Sequence, residues 1–182
     1  MHKVNVRSDN TEIFIFKHPS SEELNVQLER DIRICGDQQN KSTNVKALMT
    51  HWDMFNHSQS FNNLLAWITE CFGECDLMAF KRQTEYKLNS LWGMIYTEGE
   101  YAKAHDHLPS YFSFVYFVKV DDNSSPLIFE ASNTFIKPEI GKIVMFPSHL
   151  KHYVPEQKGS TERITIADNE KATILPENIG IA

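Results

Sequence analysis

His105-Asp106-His107-Leu108-Pro109-Ser110-Tyr111-Phe112-Ser113-Phe114-Val115-Tyr116-Phe117-Val118 and, further on, Phe146-Pro147-Ser148-His149-Leu150-Lys151-His152 decide how this chain reads. On an extended strand residues i and i+2 share a face, so His105 and His107 can converge on one ion. His152 can join them if the chain folds back antiparallel. The stretch closes on Glu162-Arg163-Ile164-Thr165-Ile166-Ala167-Asp168-Asn169, an alternating segment whose Arg163 and Thr165 face the same side. The pattern points to a candidate metal site inside a β-barrel.

Outward from this stretch the chain continues as short strands. Glu85 to Tyr96 is aromatic-rich and partly alternating, and Glu98-Gly99-Glu100 turns into a strand that leads to His105. Leu127–Glu130, Thr134–Lys137, Lys142–Phe146 and Ile164–Ala167 follow, with the turn signal Asp121-Asp122-Asn123-Ser124-Ser125-Pro126 before them. Closely spaced short strands separated by turn residues argue for an antiparallel sandwich or barrel.

The amino-terminal half is different. Glu12–Lys17 reads as an early strand, and Ser20 or Ser21 can cap a helix with Glu22 and Glu23 in its first turn. Leu24, Leu28, Ile32 and Cys35 repeat near helical spacing, and Gly36 ends the helix. Residues 37–44 are polar and read as an exposed loop, and Thr43 to Phe55 has no clean period, so no element is assigned there. A second helix is expected over Ser60–Phe72, where Phe61, Leu64, Leu65, Ile68 and Phe72 share a face and Gly73 follows. Helices first and sheet second predict an α+β chain with the helices on one outer face of the barrel.

At 182 residues the length suits a single domain, with 1–84 as support and 85–170 as the core. A net charge of −6 gives no broad electrostatic footprint for nucleic acid. Three cysteines, Cys35, Cys71 and Cys75, are too few and too odd for a disulfide framework, and no second pair completes a structural zinc site. No apolar run approaches the roughly 20 residues of a membrane span, and the first residues lack a signal-peptide core. The expectation is a cytoplasmic protein, in the host cytoplasm if phage-encoded. Oligomeric state has no signal here.

Three imidazoles, or two with a carboxylate, can hold one face of an iron-like divalent ion and leave positions open. His105, His107 and His152 have the residue types for that arrangement, with Asp106 as the alternative carboxylate if a bulge swings it inward. Each histidine taken alone is as readily an exposed or hydrogen-bonded side chain. Arg163 in a barrel mouth suits a carboxylate, with a hydroxyl from Thr165 beside it, yet arginine is more often a surface partner, here of Glu156 or Glu162. Trp92, Tyr116 and Phe146 are candidate pocket residues, although aromatics in such strands are commonly core. His149 is placed at the mouth and not counted as a ligand.

Residues Leu91 to Asn169 resemble the iron(II)/2-oxoglutarate-dependent oxygenases, in particular a branch common in bacteria and tailed phages. Trp92, Gly99 through His105-x-His107, Ser113 to Val118, the Phe146 to His152 turn and Glu162-Arg163-Ile164 carry the resemblance. It implies a double-stranded β-helix (a cupin-like jelly roll), iron at His105 and His152, and His107 where the superfamily usually has aspartate. It further implies that Arg163 binds the distal carboxylate of 2-oxoglutarate, helped by Thr165 where serine is common. Met94 stands where asparagine is expected, Phe114 where glycine is usual and Phe117 where tyrosine is usual. The implied reaction consumes Fe(II)-bound 2-oxoglutarate and O2 to hydroxylate a substrate, releasing succinate and CO2. Two other readings compete: a cupin-like three-histidine dioxygenase without 2-oxoglutarate, and a non-catalytic jelly-roll binding or virion-associated module.

Overall fold

A computed structural model describes residues 2–6, 11–36, 43–74 and 84–174. Two antiparallel sheets face each other. The larger has seven strands: β1 (His2–Val6), β2 (Thr11–Lys17), β4 (Leu48–Met49), β5 (Thr84–Tyr96), β7 (Phe112–Lys119), β10 (Lys142–Pro147) and β12 (Arg163–Ile174). Their order is β1-β2-β10-β7-β12-β5-β4. The smaller contains β3 (Val45–Lys46), β6 (Tyr101–His105), β8 (Leu127–Phe129), β9 (Thr134–Ile136) and β11 (His152–Val154), in the order β3-β6-β11-β8-β9. This is a double-stranded β-helix, as expected from the strand spacing and the resemblance.

Alternation along the strands of the large sheet builds two cores. Leu91 and Ile95 of β5, Phe112, Phe114, Tyr116 and Val118 of β7, and Ile164 and Ile166 of β12 point away from the small sheet. There they meet α1 (Ser21–Cys35) and α2 (Gln59–Glu74). Trp92, Met94 and Tyr96 point the other way, as do Val115, Phe117, Val144 and Phe146, and they fill the space between the sheets. Every one of these strands is therefore buried on both faces, which is why the 112–118 run is almost uniformly apolar.

Both helices lie where expected, on the outer face of the large sheet. The buried stripe of α1 is Ser21, Asn25, Leu28 and Ile32, so Asn25 replaces Leu24 and Cys35 in the inner row. Its side chain is satisfied at both ends: Nδ2 donates to the Val118 carbonyl at 2.8 Å, and Oδ1 accepts the Tyr116 hydroxyl at 2.8 Å. Ile32 packs against Gly93, where a Cβ would lie 2.4 Å from Ile32 Cγ1. A glycine inside β5 thus marks a close helix–sheet approach.

Three stretches fold beyond the sequence expectation. β1 extends the sheet edge by pairing His2 with Ile15 through Val6 with Thr11. The unassigned 43–55 stretch forms β3, β4 and the start of a 3₁₀ turn at Met54–Asn56. The third is β11, which begins at His152 and pairs it directly with His105. Cys75 and most of the 37–44 loop fall outside the described residues.

Candidate metal and co-substrate site

β6 ends at His105, and β11 starts at its antiparallel partner His152. His107 lies just beyond β6, in a loop held by backbone: its N–H donates to the Ser148 carbonyl at 2.9 Å, and Ser148 N–H donates to the Tyr111 carbonyl at 3.0 Å. The buried Ser113 and Ser148 hydroxyls add a 2.7 Å hydrogen bond across the same joint. The Phe-Pro-Ser turn thereby fixes two histidines, His107 through Ser148 and His152 through its own strand.

The imidazole nitrogens of His105, His107 and His152 lie within 4.8 Å of one another. Nδ1–H of His105 donates to the Lys103 carbonyl at 2.6 Å, and Nδ1–H of His152 to the Leu150 carbonyl at 2.9 Å. A carbonyl can only accept, so both rings carry a proton on Nδ1, which leaves Nε2 as the atom of each ring that can meet a metal. His107 Nε2 lies 3.3 Å from His152 Nε2. Burial pushes His107 down to about 3, with His152 and His105 adding to the shift, and burial pushes His152 down to about 4, so both are neutral at pH 7. Converging ring nitrogens, with backbone carbonyls orienting His105 and His152 and burial keeping His107 and His152 neutral, fit a divalent metal. Asp106 is not in this cluster: its Oδ1 accepts the Leu108 N–H at 3.2 Å.

Behind the imidazoles, a cavity of about 40 Å³ runs between the sheets. Its far end is Arg163, only 1% exposed, on the first residue of β12. The guanidinium carbon sits 5.0 Å from the Tyr96 ring centre and 5.3 Å from that of Phe117, and Nε donates to the Ser125 carbonyl at 3.0 Å. Among the described residues Nη2 has no hydrogen-bond partner, and neither does the buried Thr165 hydroxyl on the same strand face. Arg163 is not the surface partner of Glu162; Glu162 instead pairs with Arg33 of α1. An under-satisfied guanidinium and hydroxyl buried in one cavity are costly unless an anion meets them. They fit a carboxylate.

Of the expected pocket residues, Trp92 lines the cavity. Tyr116 does not: an even–odd step along β7 turns it to the helix face, where its hydroxyl meets Asn25. Phe146 packs edge-on against His152 at 4.7 Å and supports the ring from behind. His149 is exposed on the turn and does not line the cavity. Sequence reasoning missed Tyr96, Met94 and Leu127 in the lining, and Ser113 and Ser148 as supports. The alternation of β5 around Trp92 was the available signal for Met94 and Tyr96.

A family model described as "Putative 2OG-Fe(II) oxygenase" matches residues 129–169, the segment that contains His152, Arg163 and Thr165. This segment is similar to the 2OG-Fe(II) oxygenases. Comparison with curated proteins gave no match. Among solved structures, the fold is similar to a viral collagen prolyl hydroxylase from Paramecium bursaria chlorella virus 1 in its 2-oxoglutarate complex. That pair is 17% identical at a TM-score of 0.67, over 89% of this chain and 96% of the other. It is also similar to a prolyl-4-hydroxylase from Pseudomonas putida, 16% identical at a TM-score of 0.67 over 87% and 91%. HygX from Streptomyces hygroscopicus, bound to nickel, 2-oxoglutarate and hygromycin B, is 10% identical at 0.61 over 93% and 86%. At these identities the likeness establishes the fold, a double-stranded β-helix.

Proposed function

We propose that His105, His107 and His152 hold the iron, that Arg163 and Thr165 hold the distal carboxylate of 2-oxoglutarate, and that the enzyme hydroxylates its substrate. The carrying observation is that converging imidazoles and a buried, under-satisfied Arg163 line one cavity. Bound there, the metal with its co-substrate would supply the oxidising power for hydroxylation, with succinate and CO2 released. The chain's own groups do the rest. Lys103 and Leu150 carbonyls fix the ring tautomers. The Tyr96 and Phe117 rings hold the guanidinium flat and keep water from it. Nη2 and the Thr165 hydroxyl orient the co-substrate by charge-assisted and neutral hydrogen bonds.

His107 in place of a carboxylate leaves one specific rival, a three-histidine dioxygenase that binds substrate directly. Arg163→Ala separates the two. On our reading it weakens 2-oxoglutarate binding, measured by equilibrium dialysis of the iron-loaded protein, by the roughly 1.5–3 kcal/mol of a charged hydrogen bond. Undiminished affinity would favour the rival.

The whole chain is read as one catalytic unit, with residues 1–84 as support. No helix among the described residues is long and apolar enough to cross a membrane. With free Cys35 and Cys71, a cytoplasmic location is the reading proposed. The partners are the small co-substrate and a substrate; the charge of −6 does not favour nucleic acid.

A further inference from the structure

Three buried side-chain donors among the described residues lack a hydrogen-bond partner: Arg163 Nη2, Thr165 Oγ1 and Trp92 Nε1. All three side chains line the cavity that the imidazoles close. The reading above uses the first two. We propose that the third, the indole N–H of Trp92, donates a hydrogen bond to the 2-oxo acid end of 2-oxoglutarate, the end turned toward the imidazoles. The inference rests on the proposed function and adds a binding residue to it.

The sheet places the donors at opposite ends. On β5, Trp92, Met94 and Tyr96 face inward, and their partners on β12 are Ala167, Thr165 and Arg163. Trp92 is therefore two inward rungs, about 13 Å of strand, from the rung of Tyr96 and Arg163. Its ring lies edge-on to His107, with centres 6.5 Å apart. A dicarboxylate anchored at Arg163 and reaching the imidazoles ends beside Trp92. The rung between them holds the Thr165 hydroxyl, which the proposed function gives to the distal carboxylate, and the Met94 thioether, which already accepts the Tyr96 hydroxyl at 3.4 Å and has no proton to give.

Packing does not explain the nitrogen. Trp92 is 4% exposed and its ring stacks edge-on against Trp52 at 4.5 Å, a contact that carbon alone would make. A buried indole ordinarily finds an acceptor for its N–H, and here none of the described residues supplies one. A neutral donor also suits the place. It can bind an oxygen next to the metal ligands without the repulsion that a lysine or arginine would exert on a divalent cation.

The test uses the full chain under nitrogen. Iron-loaded wild type and Trp92→Phe are titrated with 2-oxoglutarate and with pyruvate, which carries only the 2-oxo acid end. Binding is followed by dialysis and by charge-transfer absorption. Trp92→Phe should lose roughly ten- to a hundredfold in affinity for both acids. Its band should move to shorter wavelength, because the acceptor orbital loses a stabilising hydrogen bond. Iron affinity without either acid should not change. In zinc-loaded wild type, which needs no variant, one of the three tryptophan indole N–H resonances should move downfield when 2-oxoglutarate is added. Equal affinities and band positions, or indole resonances that stay in place while 2-oxoglutarate binds, would overturn the inference. Failure of iron-loaded wild type to bind 2-oxoglutarate would overturn the reading of the site, and this inference with it.

Discussion

At the scale of single residues, the cavity places a function where stability would prefer something else. Arg163 is buried with Nη2 unpartnered, and burial pulls its pKa down from the usual guanidinium value, although it stays charged at neutral pH. Arg163→Met should therefore leave the thermal midpoint of the ligand-free protein unchanged or raised, while abolishing tight 2-oxoglutarate binding. A large drop in midpoint would mean that the guanidinium holds the fold together. The histidines make a second prediction. His107 and His152 titrate near 3 and 4 in the folded protein, against 6.5 when unperturbed. Between those limits the unfolded chain takes up protons that the folded one refuses. Stability of the metal-free protein should thus be full above pH 6.5 and decline as pH falls toward 4, by up to about 1.4 kcal/mol per pH unit for each ring. Chemical denaturation at pH 7 and pH 5 measures this, and equal stabilities would contradict the burial of the rings. Sequence brought His105, His107, His152, Arg163 and Thr165 forward because residue type and spacing are local. It could not choose between Asp106 and His107, since that choice depends on where β6 stops and the Ser148-held loop begins.

At the scale of elements, the helices matter through two contacts with the large sheet. Gly93 is required by the close approach of Ile32. Gly93→Ala should cost about 1–3 kcal/mol by overpacking, and Ile32→Val in the same chain should recover part of it. Additive losses in a double-mutant cycle would refute the contact. Asn25 links α1 to β7 through the Val118 carbonyl and the Tyr116 hydroxyl. Asn25→Ala leaves both buried groups without that partner, which should cost about 1–3 kcal/mol on urea unfolding. Periodicity found both helices, but it selected Leu24 for the buried row because an apolar residue is the default there. Only the facing Tyr116 makes asparagine the better fit. Tyr116 itself was misread as a pocket residue for the complementary reason: a strand that is apolar on both faces carries no alternation to say which side is inward. The short β3, β4 and β11 escaped notice because two- and three-residue strands are set by their partners, not by their own composition.

At the scale of the whole molecule, the helices cover one face of the large sheet and the small sheet covers the other. The groups of the proposed site come from both sheets: histidines on and beside β6 and β11, and Arg163 and Thr165 on β12. Strand spacing and turn residues made the antiparallel β architecture readable, and the family resemblance made it a jelly roll. The pairing of β11 with β6 that brings His152 to His105 is a contact across more than forty residues, and no local signal encodes it. On the proposed reading, this pairing assembles one chamber for iron and 2-oxoglutarate. Anaerobic titration of the metal-free protein with iron(II) and then 2-oxoglutarate, followed by visible absorption, tests it most directly. A weak charge-transfer band that requires both additions, and that is lost in His152→Ala, is the predicted result. Iron binding with no band on adding 2-oxoglutarate, or a band that survives His152→Ala, would contradict it.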